Sequence, residues 1–288
     1  MKKALLVFVA LLTLTAGLFA QYGYGNEKQI EFFVTGGYGL GSLNGTSEYA
    51  DTWSAYILNP VNESDLITLQ NKNSFSLGIG LTYYLSPNFG IQIGGGYFAP
   101  KADVFSDWNI NWHWTSSGET FSDAGSWDAI AEGAKLTSIP LYLNLVGRYD
   151  TGTFGLYASA GPAVFFNNFS ADSSSIYGDY GLLWIFEFID WFDIPVFIPE
   201  TKWTGFGFDA GAGFDIKFSP SVAFVVDARY FYCGKKDLFW TFQPGTYSGF
   251  NGILEYTYDD LTGADEHIGP LSVNPSFFSI TGGLKLFF

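Results

Sequence analysis

The sequence contains a single cysteine, Cys233, so no disulfide can form within the chain. Histidine is nearly as scarce, with only His113 and His267 to serve acid–base or metal chemistry. Positive charge is also in short supply. Thirteen Lys and Arg stand against 28 Asp and Glu, a formal net charge of −15, and a surface of that sign cannot gather nucleic-acid phosphates. Beyond the first twenty residues there is no long apolar run, so no later segment can cross a bilayer as a helix, which takes ~20 apolar residues. Yet 48% of the residues are apolar and 20% are aromatic. Without long runs, that much apolar surface must be spread over segments in which apolar and polar residues alternate.

Such alternation is present. At the carboxyl end Phe278, Ile280, Gly282, Leu284, Leu286 and Phe288 occupy every second position, with Ser279, Thr281, Gly283 and Lys285 between them. Successive strand side chains point to opposite faces, so this segment has one oily face and one polar face. Eight segments of this kind can be marked, at about 29–41, 74–85, 88–100, 133–149, 153–166, 202–218, 221–233 and 276–288. Each is long enough to cross a bilayer as a tilted strand, which takes ~9–11 residues. Their connectors alternate in length. Ser86-Pro87-Asn88, Asp150-Thr151-Gly152 and Ser219-Pro220-Ser221 are tight turns, whereas 42–73, 101–132, 167–201 and 234–275 are long. The pattern predicts an all-β fold: an eight-stranded antiparallel up-and-down transmembrane β-barrel with short periplasmic turns and four long extracellular loops. A closed sheet with an even number of strands leaves no backbone polar group unpaired in lipid. A soluble β-sandwich would explain the alternation but not the asymmetry of the connectors.

Lys2 and Lys3 precede an apolar run from Ala4 to Leu12, and small residues follow as far as Ala20. This predicts a signal peptide over residues 1–20, cleaved near Ala20, and one barrel domain over 21–288 that reaches its membrane through the periplasm. The residue directly after Ala20 is Gln21 and not a cysteine, so no lipid anchor is expected.

The stretches Leu77-Gly78-Ile79-Gly80-Leu81-Thr82-Tyr83-Tyr84-Leu85-Ser86-Pro87-Asn88-Phe89-Gly90, Ser138-Ile139-Pro140-Leu141-Tyr142-Leu143 and Gly205-Phe206-Gly207-Phe208-Asp209-Ala210-Gly211-Ala212-Gly213 resemble the outer-membrane protein β-barrel domain family, the OmpA-like and OmpX-like group of porin-family barrels. The resemblance implies residence in the bacterial outer membrane. It also implies outer-membrane lipid as a partner, and an insertion machinery that reads the terminal Phe288 as its signal. Leu77, Ile79, Leu81, Tyr83, Ile91, Ile93, Leu141, Leu143, Leu145, Phe206, Phe208, Phe214, Val222, Phe224 and Val226 would then face lipid. The long connectors exceed those of the smallest family members.

The opposite face carries Glu31, Gln92, Asn144, Arg148, Asp209, Asp215, Lys217, Asp227, Arg229 and Lys285. An eight-stranded bore is filled by side chains, so these charges are expected to pair into a structural plug, with Asp209 meeting Arg229 across the hairpin about Pro220. The alternative for the same charges is a narrow channel for ions or for small or hydrophobic solutes, since ionisable groups at membrane depth often mark a transport path.

The long connectors together carry −18. An acidic crown is expected to attract divalent cations, although Asp107, Asn109 and Asn111 lack the glycine and distal glutamate of a calcium loop. Aromatic residues crowd one connector: Trp184, Phe186, Phe188, Trp191, Phe192 and Phe197 form a candidate surface for a ligand that the sequence does not identify. No cofactor is expected, and a monomer is. A lipid-modifying enzyme of the outer membrane would need a nucleophile with its base on the lipid face. His113 with Ser116 and Glu119 is the best such set, and it does not fall on that face. The expected role is therefore non-enzymatic, structural or adhesive.

Overall fold

A computed structural model describes residues 30–41, 46–53, 58–72, 74–114, 119–127, 133–183, 186–242, 246–248, 255–257 and 269–288. Among them no helix is long and apolar enough to cross a membrane. Eight strands form the barrel: β1 (Ile30–Gly41), β2 (Ser74–Ser86), β3 (Phe89–Phe98), β4 (Ala134–Asp150), β5 (Phe154–Leu183), β6 (Phe186–Ser219), β7 (Val222–Cys233) and β8 (Phe277–Phe287). Each pairs antiparallel with its chain neighbour, and β1 pairs with β8 from Glu31↔Phe287 to Gly41↔Phe277, which closes the ring. At the seam, Phe288 N donates to Ile30 O at 2.9 Å. Closure leaves the membrane-embedded sheet without an edge.

The three short turns cluster at one end, the periplasmic end by the family pattern. In one of them Gly152 has φ of 93°, a left-handed conformation that favours glycine, and its N–H donates to Asp150 Oδ1 at 2.7 Å. Apolar side chains cover the outside of the ring, with Ile93 61%, Leu145 58% and Phe206 76% exposed. Tyr83, Phe89, Tyr149, Phe218 and Phe288 ring the periplasmic rim, and Tyr38, Phe75, Tyr97, Phe166 and Tyr230 ring the opposite rim. Paired aromatic belts of this kind mark the two membrane interfaces.

The long connectors differ from the sequence expectation, because much of 42–73, 101–132 and 167–201 is strand rather than loop. Strands β5 and β6 run on past the membrane as one hairpin, still paired at Leu183↔Phe186. Thr46–Trp53, Leu58–Asn71, Lys101–Trp114 and Glu119–Trp127 form an antiparallel sheet that joins β4 through Lys101↔Lys135 and Ala102↔Ala134. Short strands Lys236–Leu238 and Leu271–Val273 pair beside them. Outside the bilayer a strand needs no oily face, so its alternation weakens while its backbone pairing continues.

This outer part has a core of its own, in which Ile67, Leu69, Val104, Leu136, Phe169, Val196, Ile198, Leu238, Trp240 and Leu271 are buried together. A register shift in β6 between Ile198 and Thr201 makes that possible. Below the shift, odd-numbered side chains such as Asp209 and Asp215 point inward; above it, Val196 and Ile198 do. An added residue in one strand re-aims everything beyond it.

Candidate functional site in the barrel lumen

Period-two alternation sends the polar half of every strand into the bore, and the structure sorts these side chains into tiers. The lowest tier lies near the turns. Arg148 of β4 is bonded to Glu31 of β1, and its Nη2 lies 2.9 Å from Asp215 Oδ1 of β6. Lys285 of β8 bridges the same two acids, with Nζ 3.0 Å from Asp215 Oδ2 and 3.2 Å from Glu31 Oε2. Two cations meet two anions, all buried. The Lys285 ammonium also stands 4.1 Å from the centre of the Tyr157 ring, and the Arg148 guanidinium 5.1 Å from that of Phe287.

The next tier centres on Arg229 of β7. Its Nη1 lies 2.5 Å from Asp209 Oδ2, diagonal to it across the β6–β7 hairpin, where Gly211 is the direct partner of Arg229. Its Nε donates to Asp227 Oδ2 at 3.2 Å, and its Nη2 reaches Gln92 Oε1 at 3.2 Å on the far wall. A methyl group at Gly211 would come within 3.1 Å of Arg229 Nε, so the missing side chain leaves room for the guanidinium to cross the strand. Tyr157 donates its hydroxyl to Asp227 Oδ1 at 2.8 Å. Asn144 Nδ2 donates to Asp209 Oδ2 at 2.8 Å.

Above the charges lies a layer of rings. Phe98 stacks on Phe277 with centroids 4.2 Å apart, and Phe277 on Phe231 at 4.5 Å. Phe165 meets Phe231 edge-on at 6.4 Å. Phe98, Phe165 and Phe277 are almost entirely buried, and Cys233 is buried beside them. Sequence alternation places these rings on the inner face, but only closure of the ring brings four strands' aromatics into one layer.

Lys217 differs from its sequence expectation as a lumen charge. It sits at the periplasmic mouth, partly exposed, with Nζ 2.6 Å from Asp150 Oδ2. Asp150, read from sequence only as a turn residue, thus joins the network and also lies 3.1 Å from Arg148 Nη2. Here the strands end, and the flexible Lys217 stem can lean toward water. A cavity of about 790 Å³ opens at this mouth, lined among others by Glu31, Tyr84, Arg148, Asp150, Lys217 and Phe287.

Of the aromatic surface residues, Phe197 is partly buried opposite Asp172. Trp184 and the side chains of Phe186, Phe188, Trp191 and Phe192 lie outside the described residues, as do Ser116, His267 and the side chain of His113. His113 pairs with Thr120 through the backbone. Among the described residues no group of three or more His, Cys, Asp or Glu could hold a metal.

A model of the outer membrane protein beta-barrel domain matches residues 68–257, more than half of the chain. Among solved structures, the chain is similar to the outer membrane protein OprG from Pseudomonas aeruginosa, with 14% identity, 91% of this chain and 97% of that one covered, and a TM-score of 0.44. It is similar to Neisserial surface protein A at 14% identity, covering 89% and 97% with a TM-score of 0.35. Similarity to Ail, the attachment invasion locus protein of Yersinia pestis, is at 10% identity, covering 90% and 99% with a TM-score of 0.31. No curated protein matches.

Proposed function

The chain belongs to the outer membrane protein beta-barrel domain family and resides in the bacterial outer membrane, and on that premise we propose that it is a plugged, non-enzymatic barrel with a structural or adhesive role at the cell surface. The observation that carries this reading is the filling of the bore. Two ion-paired tiers and a layer of stacked Phe98, Phe277 and Phe231 succeed one another along the axis. An eight-stranded barrel has an interior just wide enough to be filled this way. The working surface is then the outer part, whose buried core and long β5–β6 hairpin make a stiff support for acidic, aromatic-rich tips.

The second reading, a narrow ion path, draws on the cavity of about 790 Å³ at the periplasmic mouth, whose lining includes Glu31 and Arg148. Single-channel recording of the refolded barrel in a planar bilayer separates the two. A silent bilayer with folding verified is expected; steady openings that scale with salt would overturn the plug. For the surface role, excising 177–192 from the hairpin, between the paired Ile176 and Asp193, is expected to leave a folded barrel that no longer supports adhesion of cells displaying it. Adhesion unchanged by the excision would remove that hairpin from the role.

A further inference from the structure

The two charged tiers do not balance alike. Glu31 and Asp215 face Arg148 and Lys285, two against two, whereas Asp209 and Asp227 share Arg229 alone. Counted over the buried charged residues among those described, one carboxylate has no cation to answer it. A lone ionised carboxylate inside a barrel wall is costly, and a buried group in that position commonly takes up a proton instead.

The hydrogen bonds indicate which acid this is. Asp227 has both oxygens engaged, Oδ1 by Tyr157 and Oδ2 by Arg229. Asp209 is engaged on Oδ2 only, by Arg229 and by Asn144. Its Oδ1 is buried with no partner, and so is Oδ1 of the same Asn144. Asp209 and Asn144 are both 0% exposed. Between them lies Gly161 of β5, the register partner of Asp209; a methyl group there would come within 2.6 Å of Asn144 Oδ1. Two acceptors without a donor stand on side chains already joined by one hydrogen bond.

We propose that Asp209 is a resident proton site: its carboxyl is protonated on Oδ1 at neutral pH and donates to Asn144 Oδ1. The acid and the amide then form a cyclic pair, O–H to amide oxygen and N–H to carboxyl oxygen, and one proton satisfies both orphaned atoms. It also brings the upper tier to neutrality, one carboxylate to one guanidinium. The charged and titratable groups facing the site are Arg229 and Asp227 of β7, Tyr142 of β4 and Tyr157 of β5, with Arg148, Asp215, Glu31 and Lys285 in the tier below. None of the acids among them lacks a donor. The inference is independent of whether the bore conducts.

Infrared spectroscopy of the full barrel, refolded in detergent at neutral pH, tests it. The C=O stretch of a protonated carboxyl should be present in the wild type, absent in D209N and retained in D215N. D209N keeps the shape and can donate to Asn144 from its own amide, so it is expected to fold. In N144L, which keeps Asp209, the band should move to higher frequency as its hydrogen bonds are lost. A wild type without the band, its Asp209 ionised and served by water or sodium instead, would overturn the proposal. So would a band that survives in D209N, or one that N144L leaves in place.

Discussion

The strands β5 and β6 pass through two surroundings, and their side chains are arranged in opposite senses in each. In the membrane half, Leu156, Phe206 and Phe208 point out while Tyr157, Asp209 and Asp215 point in. In the outer half, Phe169, Ala171, Val196 and Ile198 point in and form an oily core, while Lys202 and Glu200 are exposed. The backbone ladder is continuous apart from one register shift. What changes is the solvent: lipid takes apolar groups on the outside and forces polar groups inward, whereas water does the reverse. A β-sheet accommodates both because its faces alternate whatever surrounds it.

This contrast can be broken most severely in the membrane half. In R229A, Asp209 and Asp227 lose the guanidinium that lies against both. Removing one partner of a buried ion pair costs about 3–5 kcal/mol, so urea unfolding in lipid vesicles should show a loss of that order or a barrel that fails to refold. A crossed pair of variants then probes the inversion itself. I198A should remove about 2–5 kcal/mol by opening a cavity in the outer core. L143R, placing a charge on the lipid-facing wall, should cost about 2–4 kcal/mol in bilayers and far less in a detergent that wets the surface. A penalty for L143R that is equal in both media would mean that Leu143 does not meet lipid.

The smallest effect belongs to an exposed group outside the bilayer. Glu200 accepts hydrogen bonds from Lys202 and, at 2.7 Å, from Asn168, and these hold its carboxyl below the usual range. Its folded value is the lower one, so its contribution is present above the unfolded carboxylate range and is lost as pH falls through the folded value. Acid unfolding of E200Q should differ only slightly from the wild type and should converge with it at the acid end; a difference that grows at low pH would contradict the assignment.

The bounds of the eight membrane segments could be read from alternation because each must keep one face oily over its whole crossing. The same signal ends at about residue 202 in β6, just below the register shift at Ile198 to Thr201. There the parity of the inward residues changes, and a period-two pattern read along the sequence loses its phase. The outer strands therefore read as loops along the sequence, although residues such as Ile67, Leu69, Val196 and Ile198 carry the apolar content of a core. Within the lumen, the polar face from Glu31 to Lys285 was legible position by position. The mouth was less so, since Asp150 reads as a turn residue until the fold brings Lys217 and Arg148 to it.

Composition and periodicity by themselves determined the class of the protein, its eight crossings, and which side chains face lipid and which the bore. These follow from local geometry, because strand residues alternate and lipid rejects unpaired polar groups. Only the tertiary structure decided how the inward charges are shared between tiers. It also decided that four strands supply one aromatic layer and that the outer segments enclose a second core. Those outcomes depend on closing the ring, on the register between strands distant in sequence, and on one bulge that turns a strand over, and none of these is written in the order of residues along a single strand.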